Sequence, residues 1–99
     1  MRIQIQSHQF TASQHLLEFI QKKVAKLEQF FDRIIGVEVF LSLDNKASHV
    51  KDKIVKIKLD LPGSQIIATE SSKLFEESVD LSVDSVRRQL KRHKEKIRR

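Results

Sequence analysis

Cysteine, tryptophan and tyrosine are absent from this 99-residue chain, and it holds only two glycines and one proline. Without cysteine there is neither a disulfide framework nor a thiolate metal site, and nothing points to an oxidising compartment. A phosphate-cradling loop needs several glycines; Gly36 and Gly63 stand far apart, which argues against nucleotide hydrolysis of the P-loop type. The four histidines, His8, His15, His49 and His93, are dispersed, and no two have the i,i+4 spacing of a helical metal site. None of the ten serines lies in G-x-S-x-G, the setting of a serine nucleophile on a strand-to-helix elbow. No run approaches the roughly 20 apolar residues of a membrane span. The opening MRIQIQSHQF alternates polar and apolar residues, where a signal peptide needs an unbroken apolar core of about 7 to 15. The expectation is a single soluble cytoplasmic domain over residues 1–99 that is not an enzyme, takes no cofactor or metal, and acts on no small-molecule substrate.

What the chain has is positive charge, concentrated at one end. The segment VRRQLKRHKEKIRR, residues 86–99, carries eight bases (Arg87, Arg88, Lys91, Arg92, Lys94, Lys96, Arg98 and Arg99) against the single acid Glu95. The net charge of the whole chain is only +6, so residues 1–86, with 11 bases and 12 acids, are nearly neutral. An asymmetry of this kind points to a polyanionic partner.

Hydrophobic periodicity orders the rest. RIQIQ, residues 2–6, alternates with period two and puts Ile3 and Ile5 on one face of a short strand. After Ser13, a candidate N-cap, Leu16, Ile20, Val24, Leu27 and Phe31 fall at helical spacing, with Leu17 and Phe30 beside the stripe. This predicts a helix of about 18 residues that stops before Gly36, which can supply a left-handed exit. VEVFLSL, residues 37–43, alternates again, with Phe40 outward. A polar connection occupies residues 44–52. KIVKIKLDL, residues 53–61, turns Val55, Ile57, Leu59 and Leu61 one way and Lys56, Lys58 and Asp60 the other. Pro62-Gly63 is a turn dipeptide, so SQIIATES, residues 64–71, should return antiparallel. From Ser71 or Ser72 a final helix carries Phe75, Val79, Val83, Val86, Leu90 and Ile97 on one stripe, with His93 at the remaining stripe position. The fold class is α+β with element order β-α-β-β-β-α, a four-stranded sheet with two helices packed on one face. At 1.5 Å per residue the last helix is longer than the strands it covers, so its basic end should overhang the sheet.

The helix macrodipole favours cations near a carboxyl terminus, but it fades within the last turn and accounts for two or three bases of the eight. Asp84 with Arg88, and Lys91 with Glu95, are expected as i,i+4 pairs, which leaves most of the bases without an acid in their segment. An interfacial membrane helix would need its apolar face free, whereas here that face is needed to cover the sheet, so no membrane partner is expected. Nucleic acid fits better. Lys22, Lys23 and Lys26 share one side of the first helix. If the two helices lie side by side, these lysines can border the same groove as Arg88, Lys91, Arg92 and Lys94. With five of six phenylalanines assigned to helices or their approaches, recognition should run through phosphates and shape more than through bases. KKVAK, residues 22–26, has the look of the lysine motif of double-stranded RNA-binding domains, but it lies midway along a first helix and cannot be read as that motif. A generic structured-RNA binder or RNA chaperone, or a domain that docks an acidic protein, would suit the same basic patch.

Three stretches together resemble one family: AKLEQFFDRI at 25–34, VD at 79–80 and RQLKRHKEKI at 88–97. They are similar to the bacterial ribosome hibernation promoting factors and the related ribosome-associated inhibitor A, in their short form, over essentially the whole chain. Residues 44–52 and KLFEE at 73–77 match poorly. The resemblance implies a cytoplasmic protein that binds the small ribosomal subunit and its ribosomal RNA, in the channel for messenger RNA and tRNA, and silences translation in stationary phase or starvation. It implies RNA-binding roles for Lys23, Lys26, Arg88, Arg92, Lys94 and Lys96. Gln89 and His93 also match family residues. Lys22, Arg87 and Lys91 join the set by helical position alone, and the free protein is expected to be monomeric.

Overall fold

The computed structural model of the protein describes residues 1–44 and 52–97. Its elements run β1 (Arg2–Ser7), α1 (Gln14–Ala25), a 3-10 turn (Lys26–Gln29), β2 (Gly36–Asp44), β3 (Asp52–Leu61), β4 (Ser64–Ser72) and α2 (Phe75–Ile97). This is the order that the periodicities predict. The connection between β2 and β3, residues 45–51 with His49, and the terminal Arg98 and Arg99 lie outside the described residues.

The four strands form one mixed sheet in the spatial order β1-β2-β3-β4. A helix separates β1 from β2 in the chain, and these two pair in parallel; the remaining neighbours are antiparallel. Because side chains alternate along each strand, the register decides what shares a face. Ile5 lies opposite Val39, Val39 opposite Ile57, and Ile57 opposite Ala68, which makes one apolar row across the whole sheet. Both helices lie on that face. Leu16, Ile20 and Val24 of α1, Leu27 of the 3-10 turn, and Val79, Val83, Val86 and Leu90 of α2 are buried against it. The opposite face carries Phe40, with Lys56 Nζ 5.9 Å from its ring centroid, and the exposed Ile67. Among the described residues no helix is long and apolar enough to cross a membrane.

Local chemistry explains the junctions. Ser13 caps α1: its Oγ accepts a hydrogen bond from the Leu16 N–H at 3.1 Å, satisfying one of the donors that a helix start leaves free. Ser13→Ala is therefore expected to lower stability by about 1 kcal/mol in urea unfolding, with no change in the slope of the transition. Pro62 and Gly63 join β3 to β4, and Gly63 takes φ 71°, the combination that a type II turn requires. Ser78 and Ser82, both fully buried, let α2 approach the sheet closely. The Ser78 hydroxyl donates to the Lys53 carbonyl at 2.6 Å, and that of Ser82 to the Ser78 carbonyl at 2.8 Å.

The structure departs from the sequence expectations at several points. The first helix is not a single run to Phe31: α1 ends at Ala25 and tightens into the 3-10 turn, where the N–H groups of Phe30 and Phe31 both point to the Leu27 carbonyl, at 3.0 and 3.3 Å. The tighter winding keeps Leu27 buried, turns Phe31 partly inward and leaves Phe30 exposed. Gly36 is not a helix exit. It opens β2, paired with Arg2 on one side and Asp60 on the other. The left-handed residue before β2 is Gln9, at φ 64° in the β1–α1 connection. The last helix begins at Phe75, because β4 continues through Ser72. Ile97, on the predicted stripe, is 51% exposed, whereas Leu90 is fully buried: beyond Leu90 the helix has run past the sheet.

Candidate nucleic-acid interface

The contacts between the two helices advance together along both. Lys23 meets Asp80, Phe30 meets Arg87, and Phe31 meets His93. The helices therefore run in the same direction, and both carboxyl ends lie at the end of the sheet where α2 projects. Since a helix carries partial negative charge at its carboxyl end, this is where a fold of this kind best tolerates gathered cations.

Two adjoining grooves follow the seam. The first, about 220 Å³, is lined by Lys23, Lys26, Leu27, Gln29, Phe30, Asp80, Val83, Asp84 and Arg87. The second, about 370 Å³, is lined by Phe30, Asp84, Arg87, Arg88, Lys91, Lys94 and Glu95. Phe30, Asp84 and Arg87 border both and make them one channel. Six bases thus face it against three acids. Lys23 and Lys26 from one side, and Arg88, Lys91 and Lys94 from the other, are brought together as the spacing predicts, and Arg87 stands between them. The remaining sequence candidates are not on this channel. Lys22 is exposed elsewhere on α1, and Arg92 and Lys96 are exposed on the opposite flank of α2. That flank leans over the sheet edge, where Gln89 Nε2 donates to the Ile67 carbonyl at 3.2 Å.

The acids in the channel are largely engaged. Arg88 Nη1 lies 2.6 Å from Asp84 Oδ2, the pair expected from i,i+4 spacing. The companion pair of Lys91 with Glu95 is absent among the described residues. In its place is a contact that spacing could not show: Lys23 Nζ sits 3.2 Å from Asp80 Oδ1, joining the helices, and 5.5 Å from the centroid of the Phe19 ring. Asp80 is thus a partner for the other helix and not merely a favourable charge near a helix start. The Lys23 and Asp80 side chains are 37% and 54% exposed, so solvent screens them. A double-mutant cycle with Lys23→Met and Asp80→Asn is expected to give a coupling of about 0.2 to 1 kcal/mol, read by urea unfolding.

His93 packs edge-on against Phe31, with ring centroids 5.6 Å apart. Phe30 lines both grooves without any signal in the sequence that marks it. The sequence places it beside a buried stripe, but it is 38% exposed and the Arg87 guanidinium lies 4.6 Å from its ring centroid. Among the described residues no three His, Cys, Asp or Glu side chains gather in a way that could hold a metal ion. The channel offers fixed cations, one aromatic ring and shape. That equips it to hold phosphates and planar rings.

Residues 3–98 match the model of the family described as sigma 54 modulation protein / S30EA ribosomal protein. The chain is 34% identical over 98 residues to the ribosome hibernation promoting factor of Salmonella typhimurium, covering 99% of this chain and 98% of that one. Among solved structures it superposes on a ribosomal subunit interface protein from Coxiella burnetii with a TM-score of 0.83, at 28% identity over 95% of this chain and 98% of that one. The N-terminal domain of Thermus thermophilus Protein Y gives a TM-score of 0.80 at 26% identity, covering 94% of this chain and 99% of the other.

Proposed function

This chain belongs to the sigma 54 modulation protein / S30EA ribosomal protein family, and from that premise we propose that it is a cytoplasmic ribosome hibernation factor. It binds the small ribosomal subunit in the channel for messenger RNA and tRNA, and holds translation silent in stationary phase or starvation. The relatives' names supply the ribosome. The observation that carries the mode of binding is the seam of two parallel helices, where six bases converge on a body otherwise close to neutral.

The mechanism is competitive occupancy. A rigid domain carries its cations on α1, the 3-10 turn and α2, so the backbone that carries them needs no ordering on binding. Lys23, Lys26, Arg87, Arg88, Lys91 and Lys94 take phosphates on either side of the seam. Arg92 and Lys96 extend the contact around the projecting end of α2, and Lys22 extends it along α1. Condensed counterions are released from ribosomal RNA, and the volume that translation ligands need is filled. No bond is made or broken, and the free protein acts as a monomer.

The test is co-sedimentation with intact bacterial ribosomes, with and without messenger RNA and initiator tRNA, across a range of salt. Near-stoichiometric binding to the small subunit, excluded by those ligands, is the expected result. For about five to seven phosphate contacts, log affinity should fall against log salt with a slope of roughly −4 to −6. Unsaturable binding that ignores the ligands would instead mark a general structured-RNA binder.

A further inference from the structure

The side chain in the seam that phosphate recognition leaves unused is Phe30. It is the one phenylalanine among the large exposed apolar residues of the described chain; the other rings pack against the core or, like Phe40, lie on the far face of the sheet. Burying it would have been simple, since Leu27 and Phe31 on the same turn are drawn inward. Instead the 3-10 turn presents it to the channel, in the lining of both grooves. The Arg87 guanidinium lies 4.6 Å from its centroid. Arg88, Lys91 and Lys94, with the two acids Asp84 and Glu95, complete the larger groove, whose volume of about 370 Å³ falls in the range of small-ligand sites, roughly 300 to 1,000 Å³. Asp84 is already paired with Arg88, and the cations outnumber the acids by two.

An exposed ring with a planar cation over it, in a groove where bases outnumber acids, matches one chemistry closely. A nucleobase stacks on aromatic rings and on guanidinium planes, and its backbone brings phosphates. A lipid or an acidic peptide would use the cations but has no need of the stack. We propose that the Phe30–Arg87 stack is a subsite for one unstacked nucleotide, its base on the stack and its phosphates on Arg88, Lys91 and Lys94. This rests on the ribosomal RNA reading and deepens it: the seam recognises a splayed-out base as well as the backbone. The same chemistry could be supplied by a free nucleotide, and the test separates the two sources.

The test compares Phe30→Leu and Phe30→Tyr with the parent protein for ribosome binding across a salt series, and follows the Phe30 ring protons of the parent protein by NMR. Loss of one stacked base should weaken binding by about 5- to 150-fold in Phe30→Leu, with the salt slope unchanged because no phosphate contact is removed. Phe30→Tyr should restore binding. Upfield shifts of the Phe30 ring protons with a short single-stranded RNA, but not with millimolar adenosine or guanosine monophosphate, identify RNA as the source; shifts with the monophosphates identify free nucleotide. Equal ribosome binding by the parent and Phe30→Leu would overturn the proposal and leave the ribosomal reading standing. So would a fall in the salt slope, which would mean that Phe30 only positions Arg87. If Phe30→Leu does not fold, the ring-proton titration of the parent protein decides, and unmoved signals with every ligand overturn the subsite. If the parent protein binds no ribosomes at all, the ribosomal reading fails first, and the ring-proton titration then judges the subsite independently.

Discussion

Reversing two charges at once, Arg88→Glu with Lys94→Glu, is expected to weaken binding to the small ribosomal subunit by about 10²- to 10⁴-fold. Each charge-assisted hydrogen bond to a phosphate contributes roughly 1.5 to 3 kcal/mol, and two are lost together. The salt dependence should flatten as well, by about 0.7 to 0.9 for each phosphate contact removed. The thermal midpoint should move by only a few degrees. Arg88 and its partner Asp84 are 61% and 57% exposed, so their pair contributes a few tenths of a kcal/mol at most, and a glutamate facing Asp84 at i,i+4 costs a similar amount. Lys94 has no ion pair among the described residues. Binding measured by co-sedimentation, beside thermal unfolding of the same protein, checks both halves. A collapse in stability would show that these cations hold the fold together.

The largest effect on stability is expected at Leu90→Ala. Leu90 is fully buried and is the last residue by which α2 is anchored to the sheet. Removing its side chain leaves a cavity in the core, and should cost about 2 to 5 kcal/mol in urea unfolding. Ile97→Ala, only two turns further along the same stripe, should change stability by less than about 0.5 kcal/mol, because Ile97 already faces solvent. The contrast locates the edge of the core. A similar cost at both positions would mean that α2 is supported along its whole length.

The fold was legible wherever the determining interactions were short-range. KIVKIKLDL alternates cleanly, Pro62-Gly63 can hardly be anything but a turn, and Ser13 sits where a cap belongs, so the hairpin and the start of α1 could be placed from spacing alone. The three stretches that resemble the family agree with the family match over residues 3–98. What the sequence could not supply depends on where one helix meets the other. The tightening at Lys26 preserves helical spacing well enough to look like an unbroken helix. The Lys23–Asp80 pair joins distant parts of the chain and has no signature in local spacing. Phe30 and Phe31 are identical in type and adjacent, and only the packed structure turns one outward and the other in. Gly36 misled because a glycine after a helix resembles an exit, whereas here it starts a strand beside Arg2. Among the site residues, periodicity predicted two basic ridges but not which bases share the channel. That required the crossing of the helices, which leaves Arg92 and Lys96 on the other flank.

The carboxylates inside the basic channel bear on how such a complex comes apart. Asp80 and Asp84 are held beside Lys23 and Arg88 in the free protein, so they act as counterions tethered to the chain. A phosphate that enters must displace them, and one that leaves is replaced at once by a group that never diffuses away. This caps the affinity, but it gives every departing phosphate a resident competitor. In the proposed role on ribosomes, the acids among its bases would make the exchange reversible.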